Sequence, residues 1–437
     1  MPAHSSTTSA AQAVQTKSSP ARTLFGIGVG NALEWYDWAI YASFAPFFAG
    51  QIFDNSNPVS AMLATLAVFA VGFVARPVGG FFFGWLADRR GRKLAMTLSV
   101  GLASLGSLML ALAPTFAAVG IFASVMLLMT RLIQGLAHGG EMPAAQTYVS
   151  EAAPRQHRGL WSSLIYFSGT TGILFGMLLG AVLTLVLSQQ DMLAWGWRIP
   201  FALGAVFGLY ALIMRIRMRE TPAFEQAQAQ EAASGVRHES LWQQMVRVRR
   251  QSLQIIGLTV GLTVCYYSWA VTAPLQAVTL HGMDRGTALW ASLAANVVFI
   301  AVLPLWGKLS DRIGRKPVLI MGAIAPAVLH FPMQAMIAGD FWSLFVPSLI
   351  ELVFLAAGAA ISPAVYAELF PTSVRTLGVA VPYAFVVAIF GGTAPYLQTL
   401  FASLAMPAAF GIYTVILLVI SLLVIIRLPE TKGISLN

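Results

Sequence analysis

Long apolar segments recur along the chain and constrain its fold more than any other feature of the sequence. A helix that crosses a bilayer needs about 20 mostly apolar residues. Runs of that length lie at 24–49, 60–86, 94–113, 118–141, 159–186, 197–215, 251–272, 287–306, 317–337, 342–366, 378–403 and 408–427. Only 10% of the residues are charged, against about 25% in soluble domains. The sequence therefore predicts an all-α membrane protein with twelve transmembrane helices and excludes a soluble enzyme domain.

A charged segment divides these helices into two sets of six, so we predict two six-helix bundles. The predicted parts are a disordered cytoplasmic tail at 1–22, an N-terminal bundle at 23–215, a cytoplasmic linker at 216–250, a C-terminal bundle at 251–427 and a cytoplasmic tail at 428–437. The first tail is rich in Ser, Thr and Ala and lacks the apolar core of a signal peptide. The single cysteine, Cys265, excludes a disulfide within the chain.

Positive charge alternates from loop to loop. Nearly all of the 26 Lys and Arg residues fall in the loops on the side of the two termini, whereas the opposite loops carry only Arg285. By the positive-inside rule, both termini and the linker are cytoplasmic. The net charge of +9 is thus explained by membrane topology, and we expect no nucleic-acid partner.

Three pairs of matching motifs indicate an internal duplication. The run GWLADRRGRK at 84–93 matches GKLSDRIGRK at 307–316, the run at 148–158 matches 366–375, and an Arg-Glu-Thr-Pro run at 219–222 matches Pro-Glu-Thr-Lys at 429–432. The order of the motifs is the same in both halves. Such parallel repeats predict a substrate site between the halves, near the centre of the membrane.

The repeated loops carry acidic and basic residues that we predict form conformational latches between helices. These residues are Asp88, Arg92, Glu151, Arg158, Asp311, Arg315, Glu368 and Arg375. The glycines of the motif permit a tight turn close to another helix. For the basic positions alone, the positive-inside rule is a sufficient alternative explanation.

The first helix places two carboxylates and a phenol on one face. Glu34, Asp37 and Tyr41 are spaced i, i+3 and i+7. A carboxylate within a membrane helix is costly unless it is paired or faces an aqueous cavity. We predict that Asp37 and Glu34 take part in proton coupling; the alternative is that either neutralises a buried arginine for structural reasons.

The fourth helix carries a polar stripe of Arg131, Gln134, His138 and Glu141. The opposite directions of the first and fourth helices place Arg131 at the depth of Asp37. Such a pair would act as a proton switch, because the arginine holds the carboxylate ionised until it moves away. His138 is either a packed polar residue or a participant in coupling.

Three arginines in or at the edge of apolar segments, Arg76, Arg131 and Arg198, favour an anionic substrate, because the guanidinium fork matches a carboxylate. Arg76 could instead pair with Glu34 or Asp37, and Arg198 could be an anchor at the membrane interface. Further predicted substrate-binding residues are Tyr41, Gln134, Tyr266 and Tyr383. Glu351 has no cationic partner nearby in the sequence and is given no role.

The sequence lacks the motifs of an enzyme or a nucleotide-driven pump. It contains no H-E-x-x-H, no P-loop and no G-x-S-x-G, and its six histidines show no metal-ligand spacing. We therefore expect no enzymatic activity, no cofactor and no metal site. The expected partners are a small carboxylate substrate, protons and the lipid bilayer, and we expect the protein to function as a monomer driven by an ion gradient.

Several motifs resemble those of a known family. The doubled loop motif, the Pro-Glu-Thr runs and the six-plus-six plan resemble the major facilitator superfamily. The runs at 30–38, 75–80, 131–141 and 195–201 are similar to its metabolite:proton symporter family, with most similarity to the α-ketoglutarate permease branch. The Asp37 and Arg131 positions also resemble the proton-coupling pair of proton-linked sugar porters.

This resemblance implies proton symport of a dicarboxylate or oxoacid, such as α-ketoglutarate, across a bacterial inner membrane by alternating access. Other substrates of the family, namely citrate, shikimate or a zwitterionic osmolyte, are the alternatives. Osmolyte symporters usually carry a long charged C-terminal extension, whereas this sequence ends at Asn437, so we expect a carboxylate.

Overall fold

The chain is almost entirely helical in a computed structural model that describes residues 20–90, 92–139, 142, 146, 149–151, 153–216, 246–370 and 375–436. The first six long helices are α1 (Pro20–Ile52), α2 (Pro58–Arg90), α3 (Arg92–Ala111), α4 (Ile121–His138), α5 (Arg158–Val186) and α6 (Arg198–Ile216). Short helical turns lie at Phe116–Val119, Arg155–His157, Gln189–Asp191 and Met192–Gly196.

The second half contains six more helices, two of which are interrupted by a wider π-helical turn. Helix α7 comprises Arg249–Tyr266, the π-turn Tyr267–Val271 and Ala273–His281. It is followed by α8 (Arg285–Ile313), α9 (Arg315–Ala335) and α10 (Phe341–Glu368). Helix α11 comprises Arg375–Val386, the π-turn Val387–Gly391 and Gly392–Ser403, and α12 is Pro407–Arg427.

The length and hydropathy of these helices agree with a membrane-spanning fold. Within the described residues, nine helices are long and apolar enough to span a bilayer, and a tenth is the bent pair Gln189–Gly196 and Arg198–Ile213. Helix α1, with 33 residues, and the shorter apolar segment Thr97–Ala111 of α3 complete the twelve. The predicted all-α fold is confirmed, although α1 begins at Pro20 rather than at residue 24.

The two halves meet along three helix pairs. Helix α5 packs against α8 and α10, and α2 packs against α11. Within the N-terminal half, α1 packs against α5, α2 against α4 and α3 against α6. Small residues allow such close packing in membranes: a Cβ at Gly172 of α5 would lie 1.9 Å from the carbonyl oxygen of Ala32. The three pairs between the halves, α5 with α8, α5 with α10 and α2 with α11, enclose the centre of the protein.

Two predicted parts fall largely outside the described residues. These are the N-terminal tail at 1–22 and the linker at 216–250. Their predicted boundaries, and those of the two bundles, stay predictions. The C-terminal segment is described as far as Leu436 and folds back on the same end of both halves, where it contacts Arg158 and Arg375.

Candidate functional site

A cavity lies between the two halves at the centre of the helix bundle. Its walls come from α1, α2 and α5 on one side and from α7, α10 and α11 on the other. The wall residues are Trp35, Trp38, Arg76, Tyr166, Thr259, Leu262, Thr263, Tyr266, Tyr267, Leu355, Ala359, Ser362, Tyr366, Tyr383 and Val387. The volume of about 30 Å³ has room for about two water molecules. The site is therefore closed, and the halves must separate before a metabolite can enter.

Arg76 is the one charged residue among the described wall residues. Its Nη2 atom lies 3.0 Å from Oε1 of Glu34. Its guanidinium carbon lies 4.5 Å from the ring centre of Trp38 and 4.4 Å from that of Phe73, a cation–π arrangement. The ion pair that the sequence offered as one alternative is present, and Arg76 also faces the cavity, so that its contact with a substrate carboxylate stays a prediction.

The Asp37 carboxylate lies beside this ion pair and is held by neighbouring helices. Its Oδ1 atom accepts a hydrogen bond from the Ser107 hydroxyl at 3.0 Å, and the Ser107 oxygen accepts one from Nε2 of Gln134 at 3.0 Å. Its Oδ2 atom lies 3.8 Å from Nε2 of His138. Gly204 of α6 leaves room for the group, since a Cβ there would lie 3.0 Å from Oδ1. Asp37 is thus fixed next to an imidazole that could exchange a proton with it.

Arg131 is fully buried and does not form the direct ion pair with Asp37 that we expected. Its guanidinium lies 3.8 Å above the ring centre of Tyr41 and 5.5 Å from that of Trp38. Its nitrogen atoms donate no hydrogen bond to the described residues. The Tyr41 hydroxyl donates to the carbonyl of Thr65 at 2.8 Å, which fixes the ring beneath Arg131. Arg131 therefore stacks on Tyr41 and forms no ion pair with Asp37, although the two charged groups remain close enough to interact electrostatically.

Arg198 lies away from the cavity, at the start of α6. Its Nη1 and Nη2 atoms donate to the carbonyls of Ala194 at 3.0 Å and Ala113 at 2.9 Å. Its guanidinium carbon stacks 4.1 Å from the ring centre of Trp197. These contacts are compatible with the interfacial anchor that the sequence allowed as an alternative, which stays a prediction. The predicted contact with substrate is not supported, because the side chain is already bonded to backbone carbonyls.

The charge balance of the site differs from the expected excess of cations. With Arg198 elsewhere, Arg76 and Arg131 face Glu34 and Asp37, so the net charge is zero when both carboxylates are ionised. Protonation of Asp37 would leave one net positive charge. The arrangement can therefore attract an anion after it has bound a proton, which links the two ligands by electrostatics.

The predicted aromatic and polar contacts divide into two groups. Tyr266 and Tyr383 line the cavity; the Tyr266 hydroxyl lies 3.3 Å from that of Thr170. Tyr41 and Gln134 lie behind the wall, bonded to Thr65 and Ser107. Of these four residues, therefore, Tyr266 and Tyr383 face the cavity in this state.

Sequence reasoning missed several residues of the site. Tyr166 of α5 and Tyr366 of α10 line the cavity from opposite halves. Ser107 of α3 donates a hydrogen bond to the Asp37 carboxylate. Their roles come from contacts with other helices, and no local motif distinguishes them. His138 was visible as part of the stripe on α4, but its distance to Asp37 depends on helix rotation, which the sequence does not specify.

The predicted latch residues of the second half form a buried network at the end of the bundle where α5 begins and α10 ends. Glu368 accepts hydrogen bonds from Nη1 of Arg158 at 2.9 Å, from Nη2 of Arg315 at 3.4 Å and from Oγ1 of Thr431 at 2.6 Å. Arg158 belongs to the N-terminal half, whereas the other three belong to the C-terminal half. This network joins the two halves at that end of the protein.

Asp311 forms a further contact between the halves, at the beginning of α5. It accepts the backbone N–H groups of Gly159 and Leu160 at 2.8 and 3.0 Å, where a helix N-terminus favours negative charge. Nη1 of Arg315 donates to it at 2.7 Å. The predicted Asp311–Arg315 set is therefore a contact between the halves. The side chains of Asp88 and Arg92 lie outside the described residues, so the matching latch stays a prediction.

A second ion pair joins the two halves, between Glu151 of the N-terminal half and Arg375 of the C-terminal half. Nη1 of Arg375 donates to Oε1 of Glu151 at 2.6 Å, and the Glu151 side chain is 42% exposed. The pair is a weaker counterpart of the Arg158–Glu368 contact, because solvent screens it.

The C-terminal segment ties the latch together. Arg158 donates to the carbonyl of Ile434 at 3.0 Å, and Arg375 donates to that of Leu436 at 3.0 Å. Glu430 accepts the backbone N–H groups of Arg315 and Lys316 at 2.8 and 3.0 Å. Partial burial would raise the pKa of Glu430, but these backbone hydrogen bonds outweigh it and lower the pKa below 4.5. Glu430 is therefore ionised near neutral pH and holds the segment in place.

Comparisons with known proteins agree with this architecture. Residues 24–238 match the family model for sugar (and other) transporters, and residues 258–435 match that for the major facilitator superfamily. The alpha-ketoglutarate permease of Escherichia coli (strain K12) is 35% identical, over 94% of this chain and 95% of the relative. The proline/betaine transporter of Salmonella typhimurium is 30% identical, over 94% of this chain and 84% of the relative.

Solved structures of a more distant protein share the fold. The proton:xylose symporter XylE bound to 6-bromo-6-deoxy-D-glucose superposes with a TM-score of 0.72 at 20% identity, covering 95% of this chain and 98% of that one. An inward-open form of XylE from E. coli gives a TM-score of 0.64 at 20% identity, with 95% and 98% coverage. The relatives are transporters, in agreement with the expectation that the chain is not an enzyme. This chain is a multi-pass membrane protein that belongs to the major facilitator superfamily.

Proposed function

We propose that the protein is a proton-coupled symporter that takes up a small carboxylate, such as α-ketoglutarate, by alternating access. The observation that carries the proposal is Arg76, the charged group in the wall of the central cavity, paired with Glu34. A guanidinium at that position suits a substrate carboxylate. The 35% identity to an alpha-ketoglutarate permease supports the substrate class, and we further propose a bacterial inner membrane with both termini cytoplasmic.

The proposed proton site is Asp37 with Arg131 and His138. In the outward-facing state, Asp37 takes up a proton, and the site gains one net positive charge. A substrate carboxylate then enters and shares Arg76 with Glu34. The bound carboxylate balances this positive charge, so the halves can close around the loaded site and open toward the cytoplasm. Release of substrate and proton returns the carrier to its starting charge.

Uptake by purified protein in proteoliposomes tests this function. An inwardly directed proton gradient should drive accumulation of labelled α-ketoglutarate, and uptake should cease to accumulate substrate when the gradient is removed. Absence of uptake, or uptake that is indifferent to the gradient, would reject the proposal.

The role of Asp37 is tested in the same vesicles. Asp37→Asn should retain exchange of labelled for unlabelled substrate but lose accumulation driven by the gradient, because the amide carries no transferable proton. Asp54→Asn is a matched control, since Asp54 lies in an exposed loop between α1 and α2. Accumulation by Asp37→Asn would show that the proton binds elsewhere.

A second candidate is a symporter of a zwitterionic osmolyte. The cavity wall contains two tryptophans and five tyrosines, and aromatic faces bind quaternary ammonium groups. A site of zero net charge also suits a zwitterion, and the relatives include proline/betaine transporters at 29–31% identity. Competition of labelled α-ketoglutarate uptake by unlabelled betaine, proline, citrate and shikimate separates these substrates. Inhibition by betaine alone would favour the osmolyte.

A further inference from the structure

A second group of polar side chains is buried in the C-terminal half, apart from the Arg76 site. Glu351 and Ser348 lie on α10, His330 lies on α9, and Trp269 lies in the π-turn of α7. All four side chains are at most 1% exposed. Neither oxygen of Glu351, neither ring nitrogen of His330, nor the Ser348 hydroxyl or the Trp269 indole N–H has a hydrogen-bond partner among the described residues.

These side chains belong to one region between α7, α9 and α10. The rings of Trp269 and His330 meet edge to face, with centres 6.1 Å apart. Glu351 lies near the thiol of Cys265, which is one helical turn before Trp269. Ser348 lies one turn before Glu351 on the same face of α10. The carboxyl group therefore has polar neighbours, and no Lys or Arg in the described part of the chain donates a hydrogen bond to it.

This region lies directly behind the wall of the central cavity. Leu355, one turn after Glu351, lines the cavity, and so do Leu262 and Tyr266 on either side of Cys265. The π-turn Tyr267–Val271 interrupts α7 at the same level, and such turns are frequent at functional sites. A movement of α7 during transport would connect Glu351 with the cavity.

The surroundings of Glu351 determine its charge in this closed state. Helix α7 contributes Cys265 and α9 contributes His330, whereas the charged residues of the packed helices α5 and α8 lie near their ends. Helix α11 contributes Tyr383 and α5 contributes Tyr166, both of them in the cavity wall. A buried carboxylate without a cationic partner is strongly disfavoured in its ionised form. Glu351 therefore holds a proton as long as the region stays closed.

We propose that Glu351 is a second proton-binding site, which loads and releases one proton in each transport cycle. The inference rests on the proposed uptake of a dicarboxylate. The proton binds to a carboxylate oxygen of Glu351 from water on the outer side and returns to water on the cytoplasmic side. A dicarboxylate carries two negative charges, and the proton on Asp37 offsets one of them. A proton on Glu351 offsets the other and makes transport electroneutral.

Electroneutrality has a measurable consequence. Each net charge that moves across 100 mV changes the limiting accumulation ratio by about 50-fold. In the wild-type protein, accumulation of labelled α-ketoglutarate should be indifferent to an imposed membrane potential, and reversal of the flux should give about two protons per substrate.

The matched variant is Glu351→Gln, which keeps the shape but holds no transferable proton. It should transport about one proton per substrate, and an inside-negative potential of 100 mV should lower its accumulation by about 50-fold. Asp340→Asn, at the exposed N-cap of α10, should keep the wild-type ratio. Equal ratios in the wild type and Glu351→Gln would overturn the proposal.

An independent readout separates failure of this inference from failure of the proposed function. In infrared difference spectra of the substrate-free protein between neutral and alkaline pH, a protonated carboxylic acid band should be present in the wild type and absent in Glu351→Gln. If no gradient drives uptake of α-ketoglutarate, the proposed function fails, and the band decides whether Glu351 binds a proton. Should Glu351→Gln not fold, Glu351→Leu replaces it in both measurements. Absence of the band in the wild type would overturn the proposal.

Discussion

Glu368→Gln should shift the protein from the closed state, in which the Glu368 network joins the halves, toward an open state in which the halves have separated at that end. Glu368 is the acceptor for two buried arginines, Arg158 and Arg315, which are 4% and 2% exposed. Only Arg158 lies across the seam between the halves. When the halves separate, Arg158 becomes hydrated, whereas Arg315 and Thr431 stay beside residue 368. The substitution therefore penalises the closed state selectively.

The magnitude follows from the number of contacts that Arg158 retains. Removal of one partner of a buried ion pair costs about 3–5 kcal/mol. The lower value applies here, because Arg158 still donates to the carbonyls of Ser150 and Ile434. A cost of about 3 kcal/mol corresponds to a shift of about 150-fold in the ratio of closed to open states.

Distances between spin labels across the seam measure this ratio. Labels at Gln156→Cys and Ile313→Cys would occupy exposed positions of the two halves, and the native Cys265 is buried. The long-distance population should increase in Glu368→Gln. Glu151→Gln serves as the control, because the half-exposed Glu151–Arg375 pair should contribute at most about 1 kcal/mol. Equal distributions for the two variants would refute the reasoning.

Three further predictions concern the cavity, the helix packing and the C-terminal segment. Glu34→Gln should lower the melting temperature, because it leaves the buried guanidinium of Arg76 without its acidic partner. Saturating α-ketoglutarate should raise the melting temperature of this variant by more than it raises that of the wild type. Equal increases in the two proteins would contradict this. Gly172→Ala should destabilise the N-terminal half by about 3 kcal/mol through overpacking, which thermal unfolding in detergent measures. Gly101→Ala is the control and should have little effect, because a Cβ there would lie 3.6 Å from its nearest neighbour. The folded-state pKa of Glu430 is lowered, so the contribution of Glu430 to stability is present above pH 4.5 and is lost as the pH falls through the folded-state pKa. The melting temperatures of Glu430→Gln and the wild type should therefore differ at neutral pH and converge in acid. A difference that persists at the lowest pH would contradict this.

The sequence was sufficient to predict the helices and to single out the residues of the second half that contact the other half. Spanning length and loop charge depend on local composition, and the repeated motif identified Asp311, Arg315 and Glu368 because each lies at a helix end. Their partners across the seam, Arg158 and the backbone of Gly159, belong to the matching loop of the other half. The duplication therefore carried information about contacts as well as about topology.

The central site was predicted less completely, because hydropathy indicates the depth of a residue but not the direction of its side chain. Arg131 and Asp37 share a depth, yet Arg131 stacks on Tyr41 and Asp37 turns toward Ser107. Arg198 lies at an apolar boundary that is compatible with either a cavity or an interface, and its hydrogen bonds to backbone carbonyls away from the cavity could not be predicted from its position. These choices depend on how neighbouring helices are rotated.

The central claim is that protonation gives a neutral site the charge it needs to bind an anion. Proton uptake on addition of α-ketoglutarate to the purified protein in weakly buffered solution tests it most directly. At a pH where the empty site is ionised, binding should take up at least about one proton per substrate in the wild type. Uptake should fall by about one proton in Asp37→Asn, which should still bind substrate. Substrate binding by the wild type with no proton uptake at any pH would contradict the account.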